Sequence, residues 1–310
     1  MFKSIQVSGA RAGRAAHAKA FSVLMAAAAA LAATTVPAQQ ADEAGWMPFA
    51  AGQDRPAIEV AINGQSTIAI FDTGFSANAI SAEFARQAGI GTTEESVRLV
   101  DAGGGEALPI AETFKMELAG TPIDMERVVV MSAPGVGIVI GRPLLEMMVV
   151  QIDYPGRKLR VMPTDSADFE GNLKTRRGRF DQLMVQARIN GKRVWMSLDT
   201  SNDGLCLVHR RSVAKHDWAQ SPISIENAEK TGVTVRSDLQ PLHLGSLDIG
   251  GYQLGGFVAA YAHDEIDERH YGASRITEKF GGDGILGFEV MRNFMLTMNL
   301  AEDKVHIYAP

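Results

Sequence analysis

The 310-residue sequence holds a single cysteine, Cys206, which excludes an internal disulfide, a thiolate zinc cluster and an iron–sulfur centre. It also lacks an excess of positive charge. Its 30 Lys and Arg stand against 36 Asp and Glu, a net charge of −6, so it offers no basic surface to neutralise a phosphate backbone, and nucleic acid is not an expected partner. Its seven histidines fall into no zinc-binding spacing, and no metal or cofactor is expected. What is present is ordinary globular material, 46% hydrophobic and 21% charged, which argues against disorder, collagen and a multi-span membrane protein. At roughly 100 to 200 residues per domain, the length allows one large domain or two smaller ones.

The N-terminus has its own composition. Residues 1–38 carry Lys3, Arg11, Arg14 and Lys19 and no acid, and an alanine-rich apolar run from Ala20 to Ala33 precedes Val36-Pro37-Ala38. A positive head, an apolar stretch shorter than the roughly 20 residues of a membrane span and a small-residue cut site are the layout of a secretory signal. Cleavage is expected near Ala38, leaving a periplasmic or secreted protein with no membrane span. Losing those four cations takes the net charge from −6 to −10, so the mature chain is clearly acidic.

The remaining chain repeats itself. Ile62-Asn63-Gly64 leads to Asp72-Thr73, and Ile189-Asn190-Gly191 leads to Asp199-Thr200 at the same spacing, an offset of 127. Further on, Ile140-Gly141 through Lys158-Leu159 matches Leu286-Gly287 through Lys304-Val305 at an offset of 146, so the second copy carries 19 extra residues between its landmarks. Those extra residues are expected around 260–280, in a polar stretch that includes His263, Asp264, Glu265, Asp267, Glu268 and His270 and reads as a solvated loop. The division that follows is a first lobe over 45–163, a linker over 164–175 and a second lobe over 176–310.

Each copy reads as β-rich. Short β-branched runs flank Asn63-Gly64 and Asn190-Gly191, the two-residue hairpin signal that demands positive φ at both turn positions. Val97–Val100 and Ala107–Glu112 flank Gly103, Gly104 and Gly105, which suggests a hairpin with a flexible tip. Only Ser81–Gly89 and Pro143–Met148 have a helical pattern. The expected fold is all-β: two similar barrel-like lobes with few short helices, related by a pseudo-twofold axis with the site between them.

In each copy an apolar strand, Ile68–Phe71 or Val194–Leu198, runs directly into Asp-Thr. An ionised carboxylate in such a place is costly unless it is hydrogen-bonded or neutralised. Two aspartates brought together across an axis can share one proton, so that one draws a proton from water while the other protonates a carbonyl oxygen. That pairing cleaves amides without metal or covalent intermediate.

Asp72-Thr73-Gly74 with the downstream Ile138-Val139-Ile140-Gly141-Arg142, and the second set Asp199-Thr200-Ser201 with Gly284-Ile285-Leu286-Gly287, resemble the paired signatures of retropepsin-like aspartic proteases. Both copies lie on one chain, as in pepsin-like enzymes. The resemblance implies an aspartic endopeptidase with Asp72 and Asp199 as its catalytic dyad. Thr73 and Thr200 would interlock beneath the dyad, Gly74 would let backbone approach it, and Gly141 and Gly287 would pack from below. Gly103 to Gly105 would form a flap closing over a peptide or protein substrate. A monomer is implied, because the duplication supplies both halves.

The second copy departs from that pattern. Ser201 stands where glycine is usual and adds a side chain where backbone should approach the dyad, one that either crowds it or has a role of its own, and Asn202-Asp203 follow it. In the first copy Ser76 replaces an acid that would pair with Arg142, which therefore needs another partner, while Phe288 has no charge. An alternative reading is a catalytically impaired peptide-binding or scaffolding protein of the same fold. Other candidates have plainer explanations. Gly135–Gly141 ends a strand without the helix a dinucleotide site requires. Cys206 between Leu205 and Leu207 is a small buried hydrophobe. Ser197 lacks a Gly-x-Ser-x-Gly elbow. Met147, Met148, Met291, Met295 and Met298 sit in apolar segments and belong to the core.

Overall fold

The computed structural model describes residues 45–98, 107–133, 135–165, 168–178, 181–230, 235, 239–262 and 282–310. The expected flap tip at Gly103, Gly104 and Gly105, the signal over 1–38 and the acidic stretch from His263 to His270 lie outside them. Among the described residues the chain is mostly strand, with five short α-helices and one 3₁₀ turn. Two nine-stranded sheets curl into half-barrels, one per copy, and a five-stranded sheet joins them.

Both hairpins form as the Asn-Gly signal requires. Ala57–Ile62 pairs antiparallel with Gln65–Phe71 through Asn63 (φ 49°) and Gly64 (φ 79°). Leu183–Ile189 pairs with Lys192–Leu198 through Asn190 (φ 48°) and Gly191 (φ 73°). Positive φ at both central residues gives the turn twist that matches a right-handed strand pair. The aspartate-bearing strand then gains a parallel neighbour from far along the chain. Ile138–Ile140 lies beside Gln65–Phe71 with Ile140 opposite Phe71, and Gly284–Leu286 lies beside Lys192–Leu198 with Leu286 opposite Leu198. Phe71, Ile138 and Ile140 are fully buried, as strands covered on both faces must be.

The joining sheet was not anticipated. Met148–Asp153 with Lys158–Pro163, and Met295–Asn299 with Lys304–Tyr308, are the two hairpins of the second repeated segment. They meet edge to edge, Val150 opposite Met298 and Ile152 opposite Leu296. Met47–Pro48 extends the first of them. The segment over 164–175 leads directly into a short strand, Thr175–Arg177, on the edge of Leu183–Ile189. One apolar cluster runs through Phe71, Ile140, Ile152, Leu198, Leu286 and Leu296, so the halves share a continuous core.

The copies diverge between their matched strands. The first lobe pairs Thr92–Arg98 with Ala107–Ala111. In the second, Arg210–Lys215 matches the helix Ala82–Gln87 of the first, but after it come the 3₁₀ turn Trp218–Gln220 and the helix Ile225–Glu229 where the first lobe has Thr92–Arg98. Matching strand registers place Ile80 with Val208, Val129 with Ala260 and Ile138 with Gly284. The 19 extra residues therefore divide into one in the loop after Asp199, three before Ala260 and fifteen between Ala260 and Gly284. No described helix is long and apolar enough to cross a membrane.

Candidate active site

Asp72 and Asp199 follow the two central strands and are 6% and 3% exposed. Each carboxylate is held by the residue two positions on. Gly74 N donates to Asp72 Oδ1 at 2.8 Å. Ser201 donates to Asp199 Oδ1 twice, from its backbone N at 3.1 Å and from its Oγ at 2.8 Å. The Ser201 side chain turns toward Asp199 and bonds to it.

The threonines tie the two loops together. Thr73 N donates to Thr200 Oγ1 and Thr200 N to Thr73 Oγ1, both at 3.1 Å. The hydroxyl hydrogens go onward across the axis, Thr73 Oγ1 to Leu198 O at 2.7 Å and Thr200 Oγ1 to Phe71 O at 2.6 Å. Each buried hydroxyl thus both accepts and donates, and none of the four groups is left unsatisfied, a condition that would cost about 1–3 kcal/mol apiece. Residues 127 apart in sequence are in direct contact, and each is bonded in the chain to one of the aspartates.

Beneath the loops the two copies solve the same problem with different atoms. A Cβ on Gly141 would collide with Ala77 O, and one on Gly287 would sit 2.5 Å from Gly204 O and Leu205 O. Only glycine allows this approach. The amide of Gly141 donates to Asn78 Oδ1 at 3.0 Å, and that of Gly287 to Cys206 Sγ at 3.3 Å. Cys206 is therefore a buried packing residue that also accepts a hydrogen bond, and burial pushes its thiol up to about 12. The next amides also correspond: Arg142 N donates to Phe75 O and Phe288 N to Asn202 O, both at 3.0 Å.

Arg142 finds its partners outside the first aspartate loop. Its guanidinium bonds to Glu146, one turn on, at 3.1 Å, and to Asp181 at the start of the second copy. Arg177 joins the same group, 3.6 Å from Glu146 and 2.5 Å from Asp303. Phe288, in the matching position, packs against Tyr154 with 6.2 Å between ring centroids. Tyr154 is buried and donates to Met291 Sδ at 3.6 Å. Its phenol is pushed well above the ordinary range, chiefly by burial and secondarily by the nearby charge of Asp199. Arg55, from the first copy, reaches within 3.9 Å of Asp203 on the second aspartate loop.

Asn78, Tyr154, Arg55 and Glu146 were not singled out from sequence. For Asn78 a signal existed: allowing one extra residue in the second loop aligns it with Cys206. Met148, Met291 and Met298 are buried, whereas Met147 and Met295 are half-exposed. Among the described residues no three His, Cys, Asp or Glu side chains gather as they would for a metal ion. Residues 58–144, which hold Asp72, Thr73, Gly74 and Gly141, match the family described as aspartyl protease. No curated protein matches the chain.

Proposed function

The chain belongs to the retropepsin-like aspartyl protease family, and from that premise we propose that it is an endopeptidase whose water is activated between Asp72 and Asp199. Two buried carboxyl groups in adjoining loops hold one proton between them more readily than two charges or none. The ionised member takes a proton from water as the water oxygen bonds to the peptide carbonyl carbon. The protonated member gives its proton to the carbonyl oxygen. In the second step the diol returns a hydroxyl proton to the ionised member of the dyad, the protonated member gives its proton to the nitrogen, and the C–N bond breaks. The dyad ends with the single proton it began with.

The observation that carries this reading is the reciprocal bonding of Thr73 and Thr200, which holds the two Asp-bearing loops against each other at one point of the molecule. Rigid mutual support of this kind suits preorganised charge stabilisation. The sequence features also favour export, with the signal removed near Ala38, and action as a monomer. The test uses the chain as recovered from the periplasm or medium, with its N-terminus read near Gln39. This protein should cleave members of a peptide library between acid and neutral pH, and a statine-type inhibitor should suppress the cleavage. Saturable binding without cleavage at any pH would favour the peptide-binding alternative instead.

A further inference from the structure

We propose that Ser201 is a positioning residue for Asp199 that makes the two halves of the site chemically unequal; the inference rests on the endopeptidase reading. At Asp72 the corresponding residue is Gly74, which has only its backbone N–H to give. At Asp199 the same position supplies two donors, N at 3.1 Å and Oγ at 2.8 Å, and both aim at Oδ1. With two donors of Ser201 directed at Oδ1, Oδ2 is the oxygen that this arrangement sets toward proton exchange with water. Two attachments to one oxygen also resist rotation about the Cβ–Cγ bond, which fixes where Oδ2 points.

The surrounding loop holds Ser201 in place for this. Asn202 N donates to Asp199 O at 3.3 Å, Gly204 N donates to Asn202 Oδ1 at 3.1 Å, and Asn202 O receives Phe288 N at 3.0 Å. The extra residue of the second loop is thus taken up beyond Asn202, and the geometry at 199–201 stays like that at 72–74. The single hydroxyl hydrogen of Ser201 is committed to Asp199. Ser201 therefore acts through the aspartate, not as a nucleophile.

The test compares Ser201→Gly, Ser201→Ala and Ser201→Thr with the wild type on a peptide that the wild type cleaves. Removing the hydroxyl should lower kcat about ten- to a hundredfold, the scale of a hydrogen bond to a charged group, with KM changed less than about twofold. Ser201→Thr, which keeps the hydroxyl, should recover most of kcat. Unchanged kcat in Ser201→Gly, or loss through KM alone, overturns the proposal. A second readout does not depend on turnover: the carboxyl ¹³C resonance of Asp199, identified by its disappearance in Asp199→Asn, should move in Ser201→Gly while that of Asp72 stays. No movement overturns the proposal. If the wild type cleaves no peptide, the endopeptidase reading fails by itself and this resonance still decides the role of Ser201.

Discussion

Thr73 and Thr200 do more than hold a loop, because each hydroxyl is the acceptor for the partner's amide and the donor to a carbonyl on the partner's side. Thr73→Val keeps shape and removes both functions, leaving Leu198 O and Thr200 N buried without partners. Urea unfolding should show a loss of about 3 kcal/mol for Thr73→Val, whereas Thr73→Ser should stay within about 1 kcal/mol of the wild type. Both threonines were legible in the sequence because they follow aspartates at matched distances from Asn-Gly. Ser201 was legible as a departure but not in its effect. Whether an added hydroxyl obstructs a carboxylate or bonds to it depends on a rotamer, and sequence does not state rotamers.

Among the elements, the short helix Phe288–Met291 begins at Gly287 and buries Glu289 to 8% exposure. Burial raises the Glu289 carboxyl above its ordinary value, and Arg292 offsets this only in part. Arg292 Nη2 lies 2.8 Å from Glu289 Oε2, yet that oxygen accepts no aligned hydrogen bond. Above its unfolded range the native state keeps a proton that the unfolded chain has released, so stability falls as pH rises through the raised value. Glu289→Gln removes this dependence. Its thermal midpoint should gain on that of the wild type as pH goes from about 4 to about 7; a gap that does not change with pH would contradict the assignment.

Element types were read well where local patterns decide them, as at the two Asn-Gly hairpins. They were missed where tertiary contact decides. Arg210–Lys215 has little apolar periodicity; it is capped by His209 Nδ1, which accepts from Arg211 N at 3.0 Å, and anchored by Ser212 Oγ, which donates to Asp283 at 2.7 Å. Ser212 and Asp283 are 71 residues apart in sequence, so no window of residues reveals the pair.

At the scale of the molecule, the two copies are joined by a sheet whose central pair, Met148–Asp153 with Met295–Asn299, lies across the duplication. The ionic group of Arg142, Glu146, Asp181, Arg177 and Asp303 adds a second connection. The repeat was visible in sequence, and its two offsets foretold that most of the added residues fall late in the second copy. The joining sheet was invisible, because period-two alternation identifies a strand without naming its neighbour. The account comes down to two carboxyl groups acting on one water molecule. Asp72→Asn and Asp199→Asn are nearly isosteric, so each variant should stay folded, with a thermal midpoint close to that of the wild type. The most direct measurement is kcat/KM of both variants on a peptide that the wild type cleaves. The account predicts that each falls by about a thousandfold or more; a folded variant of either kind retaining activity within about tenfold of the wild type would contradict it.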